Sequence, residues 1–168
     1  KLVHLTNIPT PYRITFFNSL VEKLEDRGIS LHVLYSARTE PNRYWKIDLN
    51  EIKYKYTLLK SFSFSLCGIF IHINPTIIYH IFRLKPDILF TAGSWNMFSA
   101  ILTSGPFKFL SKMSIFWSEG HAKSLLHNKG IIPFIRRACI QSYDYYVVPN
   151  KASENHLSED SFVEKHKI

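Results

Sequence analysis

The sequence predicts a doubly wound α/β domain: one mainly parallel sheet with helices on both faces, of the Rossmann type. Three observations carry that prediction. Apolar strand-like runs alternate with helix-like segments about six times, with no internal repeat or low-complexity tract. Alternation of this kind specifies parallel strands joined by right-handed helical crossovers. The run Asp87-Ile88-Leu89-Phe90-Thr91 is almost continuously apolar, as a strand covered on both faces requires. The chain also opens on a strand, a proline-containing loop and a helix, the unit at whose junction open α/β sheets hold ligands.

The elements follow in order. Lys1 to Thr6 reads as a strand, and Asn7-Ile8-Pro9-Thr10-Pro11 interrupts it, because proline lacks an amide donor and fixes φ. From Tyr12 a helix is expected, with Phe17, Leu20, Val21 and Leu24 spaced as one buried stripe and Gly28 as its cap. Ser30 to Ser36 is a second strand, the polar stretch Arg38 to Asn50 a loop, and Tyr54 to Leu59 a third strand. Ser61 to Leu66 alternates serine with large apolar residues, which fits an edge strand with one wet face or a loop presenting Phe62, Phe64 and Leu66. A helix with Pro75 at its first position runs to Lys85-Pro86, where the residue before proline leaves the α region. After the strand Asp87 to Thr91, a helix is expected near Trp95 to Thr103, a strand over Met113 to Trp117 and a helix from about Ile131. A strand over Tyr145 to Val148 and a helix over Lys151 to Ser158 complete the series. The 168 residues suit one domain, residues 1–168, burying roughly 70% of its chain surface.

Charge is unevenly placed. Lys and Arg number 21 against 13 Asp and Glu. Between Asp87 and Asp144 the only acid is Glu119, against Lys108, Lys112, Lys123, Lys129, Arg136 and Arg137. Such a stretch is either a solvated surface or an attraction for anionic membranes, phosphorylated sugars or nucleic acid. Nucleic acid is not expected, since no helix-turn-helix, zinc-finger or RNA-binding aromatic motif accompanies the charge. Cys67 and Cys139 belong to no CxxC pattern, which favours a reduced, cytoplasmic setting. No secretory signal opens the chain, and no run reaches the 18 apolar residues of a membrane span.

The candidate site is set by topology. Exit loops of parallel strands collect on one side of the sheet, so Asn7 to Arg13, Gly93 to Asn96 and Ser118 to His121 are expected to converge. Within them Asn7, Pro11, Tyr12, Arg13, Gly93, Ser94, Trp95, Asn96 and Ser118 are the candidate binding residues, and Glu119 and His121 the candidate catalytic ones. Glu119 either orients a hydroxyl or acts as a base, or it pairs with a lysine or caps a helix. Arg13 either supplies charge to the loop or is a solvated first-turn arginine. Without HExxH, a spaced Cys/His cluster, GxGxxG or GxxxxGK[ST], no metal and no cofactor is expected. Gly93-Ser94-Trp95 lacks the second flanking glycine of a nucleophile elbow, so Ser94 reads as a turn or helix-cap serine rather than a nucleophile.

The residues Thr6-Asn7-Ile8-Pro9-Thr10-Pro11-Tyr12-Arg13-Ile14-Thr15-Phe16-Phe17-Asn18 resemble the opening of family-4 glycosyltransferases of the GT-B type. Arg83-Leu84-Lys85-Pro86-Asp87-Ile88-Leu89-Phe90, Phe116-Trp117-Ser118-Glu119-Gly120-His121 and Tyr143 to Ser153 resemble later stretches of that family, in the same order along the chain. The resemblance implies an amino-terminal, acceptor-side domain whose donor-binding partner domain lies outside these residues. It implies transfer from a nucleotide-sugar donor to a saccharide or lipid-linked acceptor, with retention of configuration and without a metal. A lipid-linked acceptor would suit peripheral attachment to the cytoplasmic membrane face. The family's first loop often carries a Gly-Gly pair, which is missing between Asn7 and Arg13 here. The rival is a non-enzymatic, flavodoxin-like binding or regulatory domain, which would want acidic residues at the strand ends.

Overall fold

The computed structural model describes residues 1–40, 43, 46–66, 69–92, 98–120 and 130–168. Eight strands and five α-helices follow one another among them. They are β1 (Leu2–Thr6), α1 (Pro11–Glu25), β2 (Leu31–Tyr35), β3 (Lys55–Leu58), β4 (Phe62–Leu66), β5 (Ile69–Ile73), α2 (Ile77–Leu84), β6 (Ile88–Ala92), α3 (Phe98–Ser104), β7 (Met113–Trp117), α4 (Ile132–Gln141), β8 (Tyr145–Val147) and α5 (Lys151–Asn155). The main sheet has six strands in the order β3-β2-β1-β6-β7-β8, every neighbouring pair parallel. Leu2–Thr6 and the strand after Asp87 are therefore central and adjacent, as their apolar character requires. The third strand lies outside the second, and the order reverses between β1 and β6, the Rossmann arrangement. A flavodoxin-like order would place the third strand on the other side of the first.

Period-two alternation assigns the faces. Val3, Leu5, Leu34 and Leu89 pack with Ile77 and Ile81 of α2 and Ala100 of α3. Further along the same face, Phe116 packs with Cys139 and Ile140 of α4. The opposite face of β2 presents Leu31, Val33 and Tyr35 to Phe17 and Val21 of α1. Helix α1 ends on Gly28 at φ +70°, with Ile29 N donating to Leu24 O at 2.9 Å. Only a residue without Cβ takes that backbone without strain.

Some expectations shift. Of the two alternatives for Ser61 to Leu66, the edge strand is the one that forms, but not on the main sheet: β4 pairs antiparallel with β5 alone, as a separate two-stranded hairpin. Pro75 lies before α2, which starts at Ile77 with Thr76 as its cap. Lys85 ends α2 in the left-handed region at φ 48°, outside the right-handed α region that a following proline disfavours. The last helix is shorter than expected and runs on as a π-helical turn, His156–Asp160. Trp95, where α3 was expected to begin, lies outside the described residues, as does Cys67. Cys139 is free and buried, its Sγ 3.3 Å from Ser104 Oγ. Among the described residues no helix is long and apolar enough to cross a membrane.

Candidate functional site

Helix α1 begins with Pro11 in its first turn, where a missing amide costs nothing. From there the four-residue step places Arg13 on the stripe of Phe17 and Val21, and all three are buried. The expected apolar stripe thus extends back to a charged residue. Arg13 is no solvated first-turn arginine, since its side chain is 9% exposed. A buried guanidinium must be partnered, and Arg13 is. Its Nη1 donates to the Thr6 hydroxyl and, at 2.8 Å, to Asn7 Oδ1. Nη2 lies 3.6 Å from Glu119 Oε2. The guanidinium carbon sits 5.7 Å from the Tyr12 ring centre and 5.9 Å from that of Trp117, within cation–π range. One side chain thereby ties the loop after β1 to the loop after β7.

Below Arg13 lies an aromatic layer. Trp117 stacks on Phe90 with 5.7 Å between ring centres and meets Phe16 at 5.3 Å. His4, fully buried, packs beneath it between Phe17 and Phe90, each at 4.7 Å. Neither nitrogen of His4 forms a well-shaped hydrogen bond, and the Phe90 backbone is the polar group near enough to favour its charged form. Burial first, and the Arg13 charge second, push its pKa down to about 3. His4 is a neutral ring in the floor of the site. Tyr12 and Phe16 remain exposed on the rim.

A second carboxylate joins from the loop after β2. Asn7 Nδ2 donates to Glu40 Oε1 at 3.1 Å, and His72 Nε2 lies 3.2 Å from the same oxygen. The hydrogen bond from His72 is the main cause that holds Glu40 below the usual carboxylate range, against the opposing effect of burial. On its other side His72 Nδ1 is 2.8 Å from Ser63 Oγ, across the β4–β5 pairing of Ser63 with His72. The hairpin is therefore anchored to the strand ends through polar groups, while Phe62 and Phe64 on it stay exposed.

Among the sequence-derived candidates, the structure brings Asn7, Arg13 and Glu119 together and puts Tyr12 beside them. Pro11 starts the helix and is exposed. Ser118 is buried, and its backbone N donates to Val147 O at 3.0 Å, a tie between β7 and β8. Gly93, Ser94, Trp95, Asn96 and His121 lie outside the described residues. Glu119 meets an arginine, where a lysine or a helix cap was the alternative. Thr6, Glu40 and His72 escaped the sequence reading. Glu40 is one acid in a polar stretch, and His72 sits in the apolar run Ile69 to Ile73; only the hairpin register makes them partners.

The basic stretch does not gather on one surface among the described residues. Lys108 Nζ bonds Asp144 Oδ1 at 2.6 Å, and Lys112 Nζ lies 2.7 Å from Asp87 Oδ1. Both acids precede strands, at the end of the sheet opposite Arg13. Arg136 is buried, and Arg137 lies over the Phe162 ring at 3.8 Å. Lys123 and Lys129 lie outside the described residues. No group of three or more metal-ligating side chains occurs among the described residues.

No family model matches this chain, and no curated protein sequence matches it. Solved structures do. The UDP-GlcNAc 2-epimerase of Methanocaldococcus jannaschii is 13% identical with a TM-score of 0.52, aligned over 100% of this chain and 44% of its own. A putative UDP-N-acetylglucosamine 2-epimerase from Listeria monocytogenes is 15% identical with a TM-score of 0.62, over 99% and 43%. The Neisseria meningitidis UDP-GlcNAc 2-epimerase, solved bound to UDP-GlcNAc, is 16% identical with a TM-score of 0.56, over 99% and 44%. The likeness is one of fold. The chain spans less than half the length of these structures.

Proposed function

We propose that this chain is the acceptor-side half of a GT-B-type enzyme that moves a sugar from a nucleotide-sugar donor to a saccharide or lipid-linked acceptor. The observation that carries the reading is the Arg13–Glu119 pair at the carboxyl ends of β1 and β7, beside the order reversal of a Rossmann sheet. Support comes from the fold shared with proteins that act on a nucleotide sugar and from the ordered sequence resemblance to family-4 transferases. In transfer, the bond between the sugar's anomeric carbon and the phosphate breaks and the nucleotide leaves with the electron pair. The acceptor oxygen forms the new bond and gives up its proton. Arg13 suits the phosphate charge that develops, Glu119 orients the acceptor hydroxyl or takes its proton, and the exposed rings of Tyr12 and Phe16 offer apolar surface to a sugar. His121 shares the loop and is proposed to donate to the sugar or phosphate. Gly93 to Asn96 are proposed to line the same cleft. Retention of configuration is the finer form of this reading and rests on the sequence resemblance alone. The nucleotide would be held mostly by a second domain outside this chain.

A second reading is favoured by the solved structures: inversion at C2 of a UDP-linked N-acetylhexosamine, with Glu119 as the base. The full-length enzyme incubated with UDP-GlcNAc separates the two. Nucleotide release that depends on an added acceptor supports transfer, whereas a C2 epimer formed without acceptor supports epimerisation. Neither product from UDP-GlcNAc or other common nucleotide sugars would remove both. Peripheral membrane attachment is proposed on the exposed Phe62 and Phe64, since Lys108 and Lys112 are paired with acids at the opposite end of the sheet, and a cytoplasmic setting on the absence of a CxxC pattern at Cys67 and Cys139.

A further inference from the structure

Asn7, Glu40 and His72 form one directional chain. The Glu40 carboxylate accepts and cannot donate, so the two groups on its Oε1 must both be donors: Asn7 Nδ2 at 3.1 Å and His72 Nε2–H at 3.2 Å. That fixes the amide of Asn7 with Oδ1 turned the other way, toward Arg13 Nη1 at 2.8 Å. In the neutral imidazole this leaves Nδ1 of His72 as the acceptor of the Ser63 hydroxyl at 2.8 Å, the hydroxyl itself 2.7 Å from Ser61 Oγ. The Glu40 side chain is 17% exposed and His72 is buried, so water competes little for these bonds. The other Glu40 oxygen lies 3.7 Å from Arg43 Nε, on the side away from the chain.

We propose that Glu40 and His72 are positioning residues: through the Asn7 amide they set where Arg13 holds its charge against Glu119. The proposal rests on the reading that Arg13 and Glu119 belong to the active site. It makes the β4–β5 hairpin part of the catalytic framework, although neither residue touches substrate. An asparagine free to flip would turn its NH₂ toward the guanidinium and push it away; the carboxylate forbids that.

The test is nitrogen NMR on this chain, joined to kinetics of the full-length enzyme. In the wild type, His72 should carry its proton on Nε2, and the Arg13 guanidinium should give separate Nη signals. Glu40→Gln keeps a carbonyl that accepts from both donors and should preserve both signatures. Glu40→Ala should lose them, and Asn7→Ala should lose the Arg13 signature while sparing the His72 tautomer. Should Glu40→Ala fail to fold, Glu40→Asp, a methylene short of Asn7, serves with the same expectation. In the full-length enzyme Glu40→Ala should lower kcat/KM about tenfold, with Glu40→Gln largely rescuing it. Adding Glu40→Ala to Asn7→Ala should cost little more. An unchanged Arg13 signature in folded Glu40→Ala, additive kinetics, or Glu40→Gln as damaging as Glu40→Ala would overturn the proposal. The NMR signatures need no substrate, so they stand even where full turnover in Glu119→Gln removes the site reading.

Discussion

Arg13 and Glu119 face each other at 3.6 Å across the carboxyl ends of β1 and β7, the arginine buried and the carboxylate half exposed. The asymmetry matters. Arg13 is held by Thr6, Asn7 and two aromatic rings, whereas the Glu119 side chain stays 45% exposed. A fixed cation beside an accessible carboxylate is suited to orient a hydroxyl and to neutralise phosphate in one place.

In the full-length enzyme, Glu119→Gln is expected to lower turnover at least about tenfold, a barrier change of roughly 1.4 kcal/mol, with circular dichroism unchanged. Arg13→Lys is expected to lose more than charge conservation suggests, because lysine lacks the planar fork that serves several acceptors at once. His121→Ala is expected to match Glu119→Gln. Wild-type rates in these variants would leave the loop as architecture.

The buried His4 makes stability depend on pH. Its pKa is about 3 in the fold against 6.5 when exposed, so the unfolded chain binds the extra proton first. The contribution is complete above pH 6.5, falls as pH drops through that window, and is gone below about 3. His4→Phe keeps a ring against Phe17, Phe90 and Trp117 and cannot take up a proton. Between pH 7 and 4 the wild-type chain should lose on the order of 3 kcal/mol more stability than the variant, read from denaturant midpoints. Parallel curves would refute it.

Asp144 supports β7 and β8 at the end of the sheet away from the site. Its Oδ2 accepts from Ser114 N at 2.8 Å and Ser114 Oγ at 2.7 Å, and Oδ1 from Lys108 Nζ at 2.6 Å. Asp144→Ala orphans a buried amide and should cost about 1–3 kcal/mol in chemical denaturation. Turnover per folded molecule should not change, because the substitution lies across the sheet from Arg13.

The 168-residue chain alone should bind UDP-GlcNAc weakly in calorimetry, with Kd near or above about 1 mM, if the nucleotide is held by a second domain. Micromolar affinity would move the donor site onto this half.

Vesicle co-sedimentation tests the membrane proposal. Recovery should fall in Phe62→Ser with Phe64→Ser and should not rise steeply with anionic lipid, given the pairing of Lys108 and Lys112. Steep dependence on anionic lipid would assign the attraction to basic residues such as Lys123 and Lys129.

The layered α/β class and the central pairing of Leu2–Thr6 with the strand after Asp87 are legible in the chain alone, because both are written in local apolar periodicity and helix-stopping residues. The chain also nominated Asn7, Arg13 and Glu119, since exit loops of parallel strands share one side of a sheet whatever their detailed conformation. The burial of Arg13 emerges only on folding, since a first-turn arginine looks the same in sequence whether it faces solvent or continues the stripe of Phe17 and Val21. Folding likewise decided the hairpin register that sets His72 opposite Ser63 and within reach of Glu40, residues 32 positions apart. Hydrogen bonds between side chains so distant leave no periodic trace, because they are selected by the closed geometry of the fold and not by any local preference of the chain.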